Sequence, residues 1–384
     1  MRWRNLLIAT AAILLSSALQ AAPISDDIDA SVTKGMARTG SQGLAMAIIE
    51  NGEVTFVKSW GKRNAAGDPL TTDTVMYGAS LTKMAFGYLV AQLADEGKID
   101  LDASIATYLA KPLPEYVGEA EKFAPYGHLA GDERWRKLTP RLLLNHGSGF
   151  ANFYWLNEDQ KLKFHFEPGA RYAYSGDGIN LLQFVLERGL GLDVEAEMQR
   201  RFFVPLGMAN SSLIWQPHFA ANLADGWKED GGVEPHDERS KVRAAGSMDT
   251  SIADLAKLVA AYVRGDGLSA KARAAMVSPQ LPIKSRGQFP TLLPQPETAP
   301  YPQLSAALGV LAFTGPQGAG FQKGGHNDST GNTLVCLEQG QRCVLLLSND
   351  VRSEQLYPAL VSQVLGKTGF PWAWEYGDQP WTVK

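Results

Sequence analysis

Between Ser80 and Glu96 the chain sets Leu81, Met84, Phe86, Leu89, Val90 and Leu93 nearly all round one helical segment, which Gly97 stops. A helix with no polar face must be enclosed on every side by the rest of the fold. That demands a large body, and 384 residues can supply one. Even without the first 21, the length exceeds the usual single core, so one large domain or two lobes are expected.

Periodicity on either side of that helix says what encloses it. A short helix is expected over Ile28–Met36. Leu44–Ile49 and Val54–Trp60 flank Asn51-Gly52 and read as a hairpin, since both tip residues tolerate positive φ. Helical and loop-rich sequence then runs to about residue 240, with aromatic patches at Phe150–Trp155 and Phe164–Tyr174. Ile252–Arg264 is an amphipathic helix ending at Gly265, and Pro279 to Pro302 reads as an ordered surface loop. Strand-like runs follow at Ala307–Phe313, Phe321–Gly324, Asn332–Leu337 and Cys343–Ser348, then a helix over Ser353–Leu365. Strands at both ends with helices between predict an α/β (α+β) fold, with one antiparallel sheet flanked by helices and built from both termini. Its α/β lobe would take about 22–76 and 241–384, and a mostly helical lobe, about 77–240, would be inserted.

The first residues resemble an export signal: Arg2 and Arg4, an apolar run from Leu6 to Leu19, then Ala21 and Ala22. A signal peptide over 1–21 is expected, with a retained anchor as the alternative. Its removal would leave no membrane span and send the chain to the bacterial periplasm or beyond. With 36 basic and 40 acidic residues and no basic block, the chain is a poor candidate for binding DNA or RNA. Cys336 and Cys343 flank Glu338-Gln339-Gly340-Gln341, read as a hairpin turn. A tip at Gln339-Gly340 makes them a hydrogen-bonded pair, in which a disulfide and two buried thiols both remain open. No zinc-type His/Cys spacing occurs, and neither metal nor cofactor is expected.

Ser80-Leu81-Thr82-Lys83 opens the buried helix. A spacing of three sets both side chains on one face, and the helix N-terminus favours negative charge on an attacked carbonyl oxygen. A desolvated Lys83 near another cation would lose its proton readily and activate the serine. The same pattern occurs at Ser31–Lys34 and Ser59–Lys62, but only Ser80 stands between a strand-like segment and a buried helix. Taken alone, Ser80 could equally be an ordinary helix cap.

Four ordered landmarks extend the motif. Asp73–Lys83, Leu138–Gly149 (LTPRLLLNHGSG), Pro205-Leu206-Gly207-Met208 and Gly246–Leu255 resemble segments of the class C β-lactamases, the related penicillin-binding proteins and D-amino-acid peptidases, and their esterase relatives. The resemblance covers nearly all the chain after the signal and implies a serine β-lactamase/transpeptidase-like fold with Ser80 as nucleophile and Lys83 as its activator. The family's Tyr-x-Asn motif is matched by Tyr174, with Tyr172 as the competing choice, and Gly176 stands where the family has Asn. That amide helps hold a β-lactam's acylamino group in the family, so its loss points away from β-lactam hydrolysis. The family's Lys-Thr-Gly is matched by Lys323-Gly324-Gly325, whereas the literal Lys367-Thr368-Gly369 has no strand after it and reads as a decoy.

By this resemblance Lys323 supplies positive charge to a substrate carboxylate and helps depress Lys83, and the backbone N–H of His326 is a second oxyanion donor. His326 as the match to a His-x-Gly variant is the alternative. The implied activity is acyl transfer through a covalent acyl-enzyme on an ester, amide or β-lactam carbonyl of a small-molecule or peptide substrate, with esterase or D-peptidase ahead of β-lactamase. The rival is a penicillin- or peptidoglycan-binding protein of the same fold, acylated slowly or not at all. His146 reads as a loop-organising hydrogen bonder. Trp372, Trp374, Tyr376 and Trp381 read as a tail strapped to the body, and 225–230 and 234–238 as solvated turns.

Overall fold

The computed structural model describes residues 24–119 and 122–377. The expected signal peptide over 1–21 and Trp381 lie outside them. The first helix, α1 (Ile24–Thr39), is longer at both ends than expected. Strands β1 (Gly43–Glu50) and β2 (Glu53–Gly61) form the hairpin, and its tip residues Asn51 and Gly52 have φ of 54° and 76°, as a primed turn requires. The apolar helix is α2 (Leu81–Asp95), followed by α3 (Gly176–Phe184) and α4 (Ile252–Arg264), which ends at Gly265 in the left-handed region.

Six more strands complete the sheet: β3 (Leu281–Pro282), β4 (Leu304–Ala306), β5 (Leu311–Gly315), β6 (Gly318–His326), β7 (Gly331–Leu337) and β8 (Arg342–Ser348). A short 3-10 turn, Val351–Leu356, leads into α5 (Tyr357–Leu365). Strand order is β2-β1-β8-β7-β6-β5-β4-β3, and every neighbouring pair is antiparallel. The two ends of the chain meet at β1 and β8, where Ala45 faces Leu347 and Ile49 faces Cys343. Both sheet faces are covered, so β1 is an apolar run rather than an alternating one. Ala45, Ala47 and Ile49 pack with α2 and α4, while Leu44, Met46 and Ile48 pack with α1 and α5. No helix among the described residues is long and apolar enough to cross a membrane.

Two expectations fail locally. The run Ala307–Phe313 is not one strand, because Leu308-Gly309 turns between β4 and β5 and Gly309 N donates to the Leu144 carbonyl. Gly309 has φ of 79°, and a Cβ there would strike the Lys83 carbonyl, so this turn packs flat on α2. The second failure is the hydrogen bonding of the cysteine pair, which does fall in the expected register. Cys336 and Cys343 are joined as a disulfide with Cα atoms 4.1 Å apart, the spacing of a non-hydrogen-bonded pair. Glu338 N donates to Ala319 O, so the backbone groups of Cys336 face β6, and those it would have shared with Cys343 are absent from the β7–β8 side. Glu338–Gln341 all lie outside the ladder, a four-residue loop instead of a two-residue tip.

Candidate active site

Ser80 stands at the point where the chain turns into α2. Ala79 before it holds φ of 47°, a left-handed conformation that costs a residue with a Cβ about 1 kcal/mol. Ser80 makes no side-chain capping bond, so the cap reading of this serine does not hold. Its hydroxyl instead meets two buried groups: Lys83 Nζ lies 2.9 Å from Ser80 Oγ, and the Tyr174 hydroxyl donates to it at 2.7 Å. Tyr172, the competing tyrosine, points elsewhere; its hydroxyl is buried without a hydrogen-bond partner among the described residues, and its ring lies against Trp374.

Each of these groups is held from behind. Lys83 Nζ also donates to the Ala245 carbonyl. That segment is pinned to α3, since Ala245 N donates to Asn180 Oδ1 and Ala244 N to Gln183 Oε1. Ser175 N donates to His146 Nδ1 at 3.1 Å, and the His146 ring lies 4.4 Å from the Tyr174 ring. His146 therefore organises the loop that carries Tyr174. Burial, then Lys83 and Lys323, push its pKa well below the usual value, which favours the neutral ring that can accept this bond.

The electrostatics separate the proton-carrying groups. Burial, then the charge of Lys323, hold Lys83 well below the ordinary lysine range. Burial drives the Tyr174 phenol upward, against the hydrogen bond to Ser80. Lys323 is buried, sits 5.3 Å over the Tyr174 ring, donates to Gly324 O, and falls to about 8 through burial. Asn327 N donates to Thr330 O, so His326 belongs to a non-hydrogen-bonded pair with Gly331 and its N–H faces away from β7, past the end of β5. A Cβ on Gly325 would come within 2.9 Å of Ser80 N, Leu81 N and Gly78 O. Glycine there lets β6 lie close against the amide of Ser80.

These residues open onto a cavity of about 820 Å³. Several of its walls escaped the sequence reading. Phe153 and Trp155 stack at 4.3 Å, and a Cβ on Gly176 would run into the Phe153 ring, so that ring takes the space next to the missing Asn. Asp237 and Glu238, read as a solvated turn, line the cavity, and the surface loop contributes Phe289. The C-terminal tail is strapped down as expected through buried Trp374, yet its neighbour Glu375 also lines the cavity. The presence of Gly176 was visible in the sequence, but nothing local said which ring would fill it. Lys367 is outside the cavity lining.

A family model described as Beta-lactamase matches residues 28–364. Among curated proteins, the chain is 26% identical to "Putative beta-lactamase-like 1" of Homo sapiens over 62% of this chain and 50% of that one. It is also 26% identical to "Esterase EstB" of Burkholderia gladioli, over 55% of this chain and 57% of that one. The chain thus spans about half the length of these curated relatives. A solved β-lactamase/D-alanine carboxypeptidase from Pseudomonas syringae superposes with a TM-score of 0.70 at 18% identity, covering 90% of this chain and 99% of that one. That likeness is one of fold.

Proposed function

This chain belongs to the β-lactamase family, and we propose that within it the chain is a serine hydrolase that cleaves carboxylic esters through a covalent acyl-enzyme. The observation that carries this reading is the convergence of Lys83 Nζ and the Tyr174 hydroxyl on the single oxygen of Ser80. Lys83, its ammonium form disfavoured by burial, is the base. Tyr174, its phenolate disfavoured by burial, is the donor.

In the first step Lys83 takes the Ser80 proton while Oγ bonds to the ester carbonyl carbon. The carbonyl oxygen gathers negative charge between the N–H groups of Ser80 and His326 at the start of α2. As the tetrahedral centre collapses, the bond to the alcohol oxygen breaks. Tyr174 protonates that oxygen and is reprotonated by Lys83. Water then repeats the cycle on the acyl group and releases the acid. The walls support this substrate class: the Phe153 ring takes the space beside Gly176, the Asn152 amide oxygen next to it accepts from Gly176 N, and Phe153, Trp155 and Phe289 suit an apolar acyl or alcohol group. The esterase among the relatives supports the same choice.

The test is hydrolysis of a short-chain p-nitrophenyl ester by wild type beside Ser80→Ala and Lys83→Ala. Multiple turnovers lost in both variants are expected. Activity no higher than theirs in folded wild type would overturn the reading and leave the acylated or silent binder. Export to an oxidising compartment is part of the same proposal. The apolar N-terminal run and the Cys336–Cys343 disulfide support it.

A further inference from the structure

The position where the family motif carries Thr is Gly324, and its missing side chain has been replaced from elsewhere in the chain. A Cβ at Gly324 would collide with Glu375 Oε1. The carboxylate thus stands where that side chain would begin, and Gly324 is also the residue whose carbonyl accepts from Lys323 Nζ. The tail holds Glu375 there firmly. Trp374 is fully buried, its Nε1 donates to Ser285 Oγ at 3.1 Å, and Gln288 N donates to its carbonyl at 2.9 Å. Glu375 itself is 8% exposed, with Oε2 buried and without a hydrogen-bond partner among the described residues.

We propose that Glu375 determines specificity: seated beside Lys323 in the space left by Gly324, its carboxylate makes the site reject substrates that carry their own carboxylate and take uncharged ones. The inference rests on the Ser80 hydrolase reading for its substrates, though not for its binding consequence. A buried lysine alone would offer one positive charge to an incoming anion. A lysine with a carboxylate beside it offers none, whichever of the two holds the proton. With the proton on Lys323, Glu375 is also an acceptor where the family's Thr has a donor hydroxyl, so an incoming carboxylate meets repulsion there. The Lys323 and Glu375 pKa shifts agree with mutual interaction, since each group is shifted by the other toward its charged form, against burial.

Two matched esters test this at pH 7: p-nitrophenyl hexanoate and the mono-p-nitrophenyl ester of adipic acid, compared in wild type, Glu375→Gln and Glu375→Met. The ratio of kcat/KM, adipate over hexanoate, is expected to rise about tenfold in both variants. In a Lys323→Gln background the Glu375→Gln change should raise that ratio by less than in wild type, because it then relieves only the repulsion by Glu375 and frees no lysine. Calorimetric titration of monomethyl adipate into Ser80→Ala and Ser80→Ala/Glu375→Gln protein reads the same effect without turnover, with binding about tenfold tighter in the double variant. An unchanged ratio together with unchanged binding overturns the inference. Tighter binding with no ester turned over by wild type overturns the hydrolase reading and leaves this one standing.

Discussion

The cavity has two walls built on different principles. On one, Ser80 and Lys83 lie three residues apart on the same helix, and the helix pitch alone brings them together. On the other, Lys323, Phe153 and Glu375 come from a central strand, a loop and the tail, and only the finished fold makes them neighbours. The first wall resembles the family's Ser-x-x-Lys motif; at Gly176 and Gly324, which differ from the motifs they resemble, side chains from afar take the space. On the proposed reading, local geometry holds the bond-making chemistry and long-range packing is left to vary what the site accepts.

Substitutions can separate the walls. Lys83→Ala should lower kcat/KM for p-nitrophenyl butyrate about 10³-fold, and Lys323→Ala only about tenfold, because one is the base and the other a neighbour. Equal losses in steady-state assays would erase the distinction. Tyr174→Phe should cost about 10²-fold, whereas Tyr172→Phe, which removes a hydroxyl with no partner among the described residues, should stay within about twofold and leave Tm unchanged or slightly higher.

Where the walls touch, Gly325→Ala forces β6 off the start of α2 and should cost about 2 kcal/mol in denaturant titration, along with most of the activity. The smallest effect concerns the loop that carries Phe153. Asp177 accepts from Tyr154 N at 2.6 Å, and burial pushes its pKa up to about 7. A carboxyl raised in the folded state contributes its full stability below the unfolded value near 3.8 and loses it as pH rises through about 7. Asp177→Asn, which keeps the acceptor and cannot ionise, should therefore gain on wild type by about 1–2 kcal/mol between pH 5 and pH 8 in urea titrations.

Legibility in the sequence divides along the same line. Ser80-x-x-Lys83, the Asn51-Gly52 hairpin and the Gly265 stop are short-range signals, and their elements form where the residues say. The Leu308-Gly309 turn was hidden because its flanks are as apolar as a buried strand; what bends the chain there is contact with α2, not a polar turn residue. The left-handed Ala79 leaves no trace in composition, since nothing but the surrounding fold imposes that φ on an alanine. Glu375 was invisible for a further reason: the aromatic residues around it announce a tail that packs, and a buried acid among them looks no different from one facing water until Lys323 is placed beside it. Asp237 and Glu238 are exposed, as their solvated-looking composition suggests, and border the cavity nonetheless.

The pairing of β1 with β8 carries a consequence in time. Ala45 and Leu347 touch across some 300 residues of sequence, so the middle of the sheet cannot close until all the chain between them has been made. Until then the face of β1 that α2 and α4 cover has no neighbour, and the helix bearing Ser80 has no floor beneath it. A chain emerging from the ribosome would thus have no completed sheet under α2 until β8 is made. On the proposed mechanism Ser80 would gain its reactivity late, after β8 arrives and close to the stretch that brings Glu375 to the cavity.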